Sequence, residues 1–220
     1  MKKPVDLNAA YQPAEFEFRD ADEVREIMAR YPAGKQRSAT MPLLDLAQRQ
    51  VAQDGARANP PYGGWIPRAA MDEIARILDI PPIKVYEVAT FYSMYNLEPV
   101  GKYLVQMCTT TPCMLCGSGD IVKSCETHLG IHTGETTRDG LFTLVEVECL
   151  GACVNAPMVQ INDDYFEDLT PQVMTGLLDD LAAGREVKMG PQNGRISSMS
   201  EAGTTTLSEK ADQLGIAKAG

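Results

Sequence analysis

The stretch CTTTPCMLC, from Cys108 to Cys116, places three cysteines within nine residues of a 220-residue chain. Three more follow at Cys125, Cys149 and Cys153, so all six cysteines lie in one segment of the chain. The last two of them frame a second short motif, CLGAC. Thiols gathered in this way are typical of a site that binds a metal or performs redox chemistry, and which thiols take part decides the chemistry.

The sequence around both motifs alternates between strand and helix patterns. KYLVQMC predicts a strand, CMLCGSGDIVKSCETHLG a helix after a loop, and LFTLVEVEC a second strand. MVQINDDYFEDL predicts a hairpin, and TPQVMTGLLDDLAAG a helix that begins after a threonine cap and ends at a glycine. The order β-α-β-β-α is that of a thioredoxin-like α/β sandwich.

The first hundred residues predict four amphipathic helices joined by Gly/Pro linkers. Their sequences are DADEVREIMARYPAGK, TMPLLDLAQRQVAQDG, IPRAAMDEIARILDI and PPIKVYEVATFYSMYNL. Thr40 is the expected N-cap of the second helix, and Pro67 is expected in the first turn of the third. Four short helices with one apolar face each suggest a small helical bundle.

These patterns predict an α+β chain of two domains. We expect an N-terminal arm over residues 1–14, a helical bundle domain over 15–100, a thioredoxin-like α/β domain over 101–184 and an extended C-terminal tail over 185–220. The tail is rich in Gly, Ser and Thr and has little periodicity, so we expect it to be poorly ordered unless it wraps a partner surface.

Charge and hydropathy exclude several partners. The net charge is −10, and residues 139–184 hold nine acids and no Lys or Arg, which argues against a nucleic acid partner. The apolar runs are short and the first residues lack a hydrophobic signal region, so neither direct membrane insertion nor secretion is expected. The expected location is the cytoplasm, a reducing compartment.

Four kinds of thiol site compete. A disulfide framework needs an oxidising compartment, and zinc sites usually use C-x₂-C pairs, whereas the outer pairs here are Cys108-x₄-Cys113 and Cys149-x₃-Cys153. A dithiol oxidoreductase would use CMLC and leave the other thiols without a role. An iron–sulfur cluster fits two short loops that each supply a pair, although C-x₄-C-x₂-C also matches a plant-type pattern that would enlist Cys116.

Longer stretches of the chain resemble a known family. CTTTPC and CLGAC, with ATFYSMYNLEPVGKY before them and APMVQIND and YFEDLT after them, are similar to the 24 kDa iron–sulfur subunits of NADH:quinone oxidoreductase, respiratory complex I. The resemblance extends from about residue 15 to GPQNGR in the tail. It implies an N-terminal helical bundle followed by a thioredoxin-like [2Fe–2S] ferredoxin domain.

The resemblance also implies the site and its partners. Carried onto this sequence, the family's ligands to one [2Fe–2S] cluster fall on Cys108, Cys113, Cys149 and Cys153. The cluster would exchange one electron with the FMN of a partner flavoprotein subunit that binds NADH. The chain would act as one subunit of the oxidoreductase, with no catalytic residue of its own, beside other peripheral-arm iron–sulfur subunits. It would then lie peripherally on the cytoplasmic face of the inner membrane.

The sequence is consistent with a chain that holds the cluster while a partner holds NADH and FMN, and it leaves two alternative functions open. Neither a G-x-G-x-x-G motif after a strand nor a P-loop occurs, so NADH and FMN are expected only in the partner subunit. An equivalent subunit of an NAD-linked hydrogenase or formate dehydrogenase is the first alternative, which the long C-terminal extension disfavours. The second is a free thioredoxin-like ferredoxin shuttle, for which a helical domain and a tail have no use.

Several remaining side chains are expected to be structural. Cys116 and Cys125 are interpreted as small buried apolar residues of the helix. Trp65, the only tryptophan, is expected to pack in the helical domain, and His128 and His132 are expected at the surface rather than as cluster ligands.

The acidic surroundings predict a low reduction potential. A four-thiolate [2Fe–2S] unit carries about −2 when oxidised and about −3 when reduced. Because Glu146, Glu148 and the acidic 139–184 stretch disfavour the extra electron, we expect a midpoint near or below the plant-type value of about −400 mV. Such a centre would hold an electron from the flavin rather than pass it on. An EPR-monitored redox titration checks this, and a midpoint above about −200 mV would contradict it.

Overall fold

The computed structural model describes residues 11–200 and 206–215, which form two compact units. The first unit ends at Lys102 and the second begins at Tyr103. Most of the predicted N-terminal arm lies outside the described residues, as do residues 201–205 and 216–220 of the predicted tail.

The first unit consists of helices around one apolar core. They are α1 Ala21–Ala29, α2 Thr40–Gly55, α3 Arg68–Leu78 and α4 Pro82–Phe91, with a 3₁₀ turn Gln36–Ala39 before α2. In α3 the residues Met71, Ile74 and Leu78 follow the helical period and are buried, as the sequence predicted. Trp65 is buried and packs edge-to-face against Tyr11, which confirms its structural role.

The predicted N-cap at Thr40 is wrong. The 3₁₀ turn runs directly into α2, so Thr40 is already helical and its hydroxyl donates to the Arg37 carbonyl at 2.7 Å. The N-cap position belongs to Ala39, whose side chain makes no capping bond. The preceding turn therefore replaces the side-chain cap. Pro67 occupies the N-cap position of α3 and precedes its first turn.

The second unit is a mixed five-stranded sheet with helices. The strands are β1 Tyr103–Cys108, β2 Phe142–Val147, β3 Val159–Ile161, β4 Asp164–Glu167 and β5 Gly190–Pro191, in the spatial order β2-β1-β3-β4-β5. The helices are α5 Thr111–Leu115, α6 Ser118–Leu129, α7 Pro171–Ala182 and α8 Ser208–Gln213. β1 pairs in parallel with β2 and antiparallel with β3, and β4 pairs in parallel with β5.

The core of this unit joins the sheet to α6 and α7. Val105 of β1 and Leu144 of β2 are fully buried, together with Cys125 of α6 and Met174 of α7. The predicted hairpin is confirmed by β3 and β4, which turn at Asn162 in a left-handed conformation that asparagine tolerates. The last predicted helix is likewise confirmed as α7.

The first part of the tail does not match the expected poor order. β5 extends the sheet beside β4, and the N–H of Gln192 donates to the carbonyl of Glu167 at 3.0 Å. Arg195 forms a buried ion pair with Asp168 at 3.0 Å. These contacts anchor the segment on the second unit itself, because it supplies both a strand and a buried charge.

The helices in the described ranges 11–200 and 206–215 are too short or too polar to span a membrane. The longest of these, α2, has 16 residues, whereas a span needs about 20 apolar ones.

Candidate metal centre

The two cysteine motifs leave the sheet at the same edge. Cys108 is the last residue of β1, and its register partner Val147 is the last residue of β2. Because the two strands are parallel, CTTTPC and CLGAC both follow strand ends that lie side by side. The N–H of Thr109 donates to the Val147 carbonyl at 3.5 Å and extends this pairing into the first motif.

Short helical turns bring the remaining thiols of the motifs to this edge. Cys113 lies in α5, which contacts the 3₁₀ turn Cys153–Asn155 of the second motif. Cys108 and Cys113 are buried beside Met158. The hydroxyl of Tyr165 donates to the Leu150 carbonyl at 2.8 Å and holds the CLGAC loop against the sheet.

The second pair of thiols lies at the surface. Cys149 and Cys153 are exposed, and their Sγ atoms are 3.4 Å apart. The N–H of Gly151 donates to the Cys149 sulfur at 3.4 Å. Gly151 has a φ of +88°, a left-handed conformation that favours glycine. The glycine of CLGAC therefore directs a backbone donor at one of the thiols.

Within the buried pair the two thiols differ in acidity. Burial alone would raise the pKa of Cys108, but hydrogen bonds from the Thr110 hydroxyl, from the N–H groups of Thr110 and Leu150, and from Cys113 lower it below the ordinary thiol value. Thr110 Oγ1 lies 3.3 Å from the Cys108 sulfur. Burial and the neighbouring Cys108 thiol raise the pKa of Cys113 to about 12. Cys108 therefore ionises first.

The exposed pair repeats this arrangement. The hydrogen bond from the Gly151 N–H, followed by that from Cys153, lowers the pKa of Cys149, whereas the bond to Cys149 raises the pKa of Cys153. The charge of Cys108 raises the pKa of both thiols in the exposed pair. The charge of Cys108 in the first motif thus acts on both thiols of the second motif.

The two motifs supply two pairs of thiols, Cys108 with Cys113 and Cys149 with Cys153. A [2Fe–2S] cluster needs two thiolates for each iron. With metal–sulfur bonds of about 2.3 Å and tetrahedral angles, as at zinc, two thiolates on one metal lie about 3.8 Å apart. The 3.4 Å between Cys149 and Cys153 is close to that spacing.

Comparison with known proteins decides the family. The family model for the thioredoxin-like [2Fe–2S] ferredoxin matches residues 24–182. This chain belongs to the thioredoxin-like [2Fe–2S] ferredoxin family. The resemblance found in the sequence is thereby confirmed, and the mixed sheet with its helices is the fold of a thioredoxin-like ferredoxin.

Two curated relatives share 50% sequence identity with this ferredoxin chain. "NADH dehydrogenase [ubiquinone] flavoprotein 2, mitochondrial" of Dictyostelium discoideum is 50% identical over 202 residues, which cover 92% of this chain and 77% of the relative. An NADH-quinone oxidoreductase subunit of Rickettsia bellii (strain RML369-C) is 50% identical over 175 residues, covering 80% of this chain and 98% of the relative. The names of both relatives are those of parts of an NADH-oxidising enzyme.

A solved structure shares the fold. A chain of an NAD⁺-reducing [NiFe]-hydrogenase in the air-oxidized state superposes with a TM-score of 0.51 at 19% identity. The match covers 64% of this ferredoxin chain and 23% of the hydrogenase chain. At this identity the likeness concerns the fold alone.

The other two cysteines of the ferredoxin domain differ from each other. Cys125 is fully buried in α6, burial raises its pKa to about 12, and its predicted apolar role is confirmed. The expectation that Cys116 is buried is wrong, because its side chain is exposed. The predicted single helix breaks into α5 and α6 at Cys116, and Gly117 follows in a left-handed conformation, so Cys116 lies outside the packed face of either helix.

The two histidines lie at the surface of the ferredoxin domain, as predicted. His128 is exposed and its Nε2 lies 2.9 Å from the Asp179 carboxylate. His132 is exposed and its Nδ1 lies 3.5 Å from the Glu126 carboxylate. Both imidazoles therefore pair with acidic side chains of the domain surface.

Two side chains that hold the thiols in place were not predicted from the sequence. The hydroxyl of Thr110 lies within hydrogen-bond distance of the Cys108 sulfur. A hydroxyl side chain two residues after a cysteine was visible in the sequence and could have indicated this contact. Tyr165 binds the CLGAC loop from the hairpin, 15 residues away in sequence from Leu150. No local pattern singles out Tyr165, because its contact depends on the tertiary pairing of the strands.

Serine variants distinguish the ligand set implied by the family, which includes Cys153, from the plant-type set, which includes Cys116. Cys153→Ser in the full-length chain is expected to abolish the visible [2Fe–2S] absorption, because serine removes one of the paired sulfurs. Cys116→Ser, the matched control, is expected to leave the spectrum unchanged, since Cys116 belongs to neither of the proposed pairs and lies at the break between α5 and α6. Absorption and circular dichroism between about 300 and 600 nm measure the outcome. The reverse result would establish the plant-type set that includes Cys116.

Proposed function

We propose that this chain is the [2Fe–2S] electron-transfer subunit of an NADH:quinone oxidoreductase, complex I. One cluster is held by Cys108, Cys113, Cys149 and Cys153. The placement of the two motifs supports the proposal most directly: CTTTPC and CLGAC follow adjacent ends of parallel strands, and α5 of the first motif contacts the turn Cys153–Asn155 of the second. The names of the half-identical relatives support the assignment to complex I.

In this proposal each motif holds one iron. Cys108 and Cys113 form the buried pair, and Cys149 and Cys153 form the exposed pair. When bound, the cluster supplies one-electron redox chemistry. The chain's own contribution is to stabilise the negative thiolates with donors, namely the Thr110 hydroxyl and the N–H groups beside each pair.

The chain works as part of a larger enzyme and has no complete active site of its own. The NADH-binding flavoprotein subunit supplies NADH and FMN, since this sequence lacks the glycine motifs that hold dinucleotides. Residues 15–100 form the helical bundle domain, 101–184 the ferredoxin domain and 185–220 the tail. Other peripheral-arm iron–sulfur subunits complete the assembly at the cytoplasmic face of the membrane.

The partner flavoprotein docks on an apolar rim around the site. We define the rim as Met114 and Leu115 of α5 and Val154 of the adjoining 3₁₀ turn, whose side chains are 58%, 77% and 58% exposed. α5 and the turn are in contact, so these side chains border the cysteine motifs together. Apolar groups at such exposure favour a protein interface, and a dry interface beside the exposed cysteine pair places a redox partner close to it.

Two other functions have less support. An equivalent subunit of an NAD-linked hydrogenase or formate dehydrogenase shares the fold, but the hydrogenase chain is 19% identical, against 50% for the complex I relatives. A free ferredoxin shuttle requires only the cluster domain and a small contact surface, and leaves the helical first unit without a role.

A matched pair of methionine variants tests the docking rim. Met114→Asp is expected to slow NADH-driven reduction of the cluster by about tenfold or more, because it places a charge in an interface that must be desolvated. Met189→Asp is the control, since Met189 is equally exposed, at 59% against 58%, but lies outside the rim. The full-length chain is assembled with its flavoprotein subunit, and bleaching of the cluster absorption is followed after addition of NADH.

Equal rates for Met114→Asp and Met189→Asp would exclude the rim as the docking surface. A wild-type cluster that NADH and the flavoprotein together fail to reduce, or a chain that purifies as a monomer without any flavoprotein, would contradict the proposed function itself.

A further inference from the structure

A buried ion pair joins the tail to the end of β4. Arg195 and Asp168 lie 3.0 Å apart, and their side chains are only 9% and 7% exposed. Asp168 follows β4 directly and has a φ of +52°, a left-handed conformation that aspartate adopts more readily than most residues. Since surface ion pairs are usually well solvated, this degree of burial marks Arg195 as different from the other arginines of the domain.

The same arginine also reaches the loop of the second cysteine motif. Its Nη1 donates to the carbonyl of Val154 at 2.9 Å, one residue beyond Cys153. A guanidinium presents several donors in one rigid plane, so it can hold a carboxylate and a carbonyl at once. Arg195 therefore connects the 3₁₀ turn Cys153–Asn155 to Asp168.

Asn155 completes the connection from inside the turn. It is 2% exposed, and its Nδ2 donates to the Ser197 carbonyl at 2.9 Å and to the Asp168 carboxylate at 3.3 Å. In return, the N–H of Asp168 donates to the carbonyl of Asn155 at 2.8 Å. The turn is thus held by the tail on one side and by the end of β4 on the other.

We propose that Arg195 is a positioning residue for the Cys153 thiolate, acting through Val154 and Asp168. This inference rests on the proposed function, because it concerns the pair of thiolates that holds the second iron. Cys149 and Cys153 are exposed, so little packing of their own side chains holds them in place. Arg195 instead restrains the backbone of the turn, through its hydrogen bond to the Val154 carbonyl. Partners that orient metal ligands in this way contribute strongly to metal retention.

Replacement of the arginine is expected to accelerate loss of the cluster. In the full-length chain, Arg195→Met should raise the rate of cluster loss to an iron chelator on the order of 10- to 100-fold. Arg195→Lys should give a smaller increase, since it keeps a charge opposite Asp168 but lacks the fork that also reaches Val154. The decay of visible absorption measures the rate, and far-ultraviolet circular dichroism on the same samples measures the folded fraction.

Arg185→Met is the matched control. Arg185 also lies in the tail and pairs with an aspartate, Asp180, at 2.6 Å, but both side chains are largely exposed and the pair belongs to the end of α7 rather than to the turn. This variant is expected to lose its cluster at the wild-type rate. EPR of the reduced protein adds a readout of ligand geometry, and its line shape is expected to change in the two Arg195 variants and to stay constant in Arg185→Met.

Folding failure is separated from loss of positioning by a double variant. Arg195→Met leaves Asp168 as a buried unpaired charge, which can unfold the domain. Asp168→Asn combined with Arg195→Met removes both charges and is expected to fold, yet still to lose the cluster faster than wild type. Wild-type rates and line shapes in the Arg195→Lys and double variants would overturn the inference while the proposed function stands. A wild-type chain that retains no iron would overturn both.

Discussion

Parallel pairing of β1 with β2 is the constraint on which the whole site depends. The register places Cys108 beside Val147, and Cys149 follows two residues after the end of β2. A slip of one residue would turn the Cys108 side chain to the opposite face of the sheet and separate it from the second motif. Val105 and Leu144, both fully buried, resist such a slip because they would leave the core. The fold thus positions the two motifs through an apolar core that extends along β1 to Met107, the residue before Cys108.

Four thiols at one edge of the sheet repel each other when they ionise, and within each pair hydrogen bonds favour ionisation of one thiol over the other. Cys108 and Cys149 receive hydrogen bonds and ionise more readily, whereas Cys113 and Cys153 hold their protons more tightly. Were these four thiols to hold the proposed cluster, they would bind iron as thiolates, so cluster binding would be favoured as pH rises. The same donors would then lie beside the negative charge of the thiolates. The role of Gly151 follows from this, since its left-handed backbone directs an N–H at sulfur.

Several local features were predictable from sequence, although the N-cap at Thr40 was not, and contacts between distant segments were not predictable. The turn at Asn162 and the cap at Thr170, whose side chain accepts from the Val173 N–H, have local sequence signals, and both formed as expected. The assignment of Cys108, Cys113, Cys149 and Cys153 as ligands rests on the family resemblance and stays a prediction. Cys116 was misplaced because the helical pattern continues through the break at Gly117. Arg195 reaches Asp168 because β5 pairs with β4. β5 has only two residues, which is too short to give a recognisable strand pattern in the sequence.

The most direct measurement is iron, sulfide and zinc analysis of the anaerobically purified full-length chain, combined with EPR after reduction by dithionite. We expect two irons and two acid-labile sulfides per chain, with one unpaired spin per reduced cluster. Stoichiometric zinc with no iron or sulfide would contradict it, because the thiols would then serve a structural metal site and not a one-electron carrier.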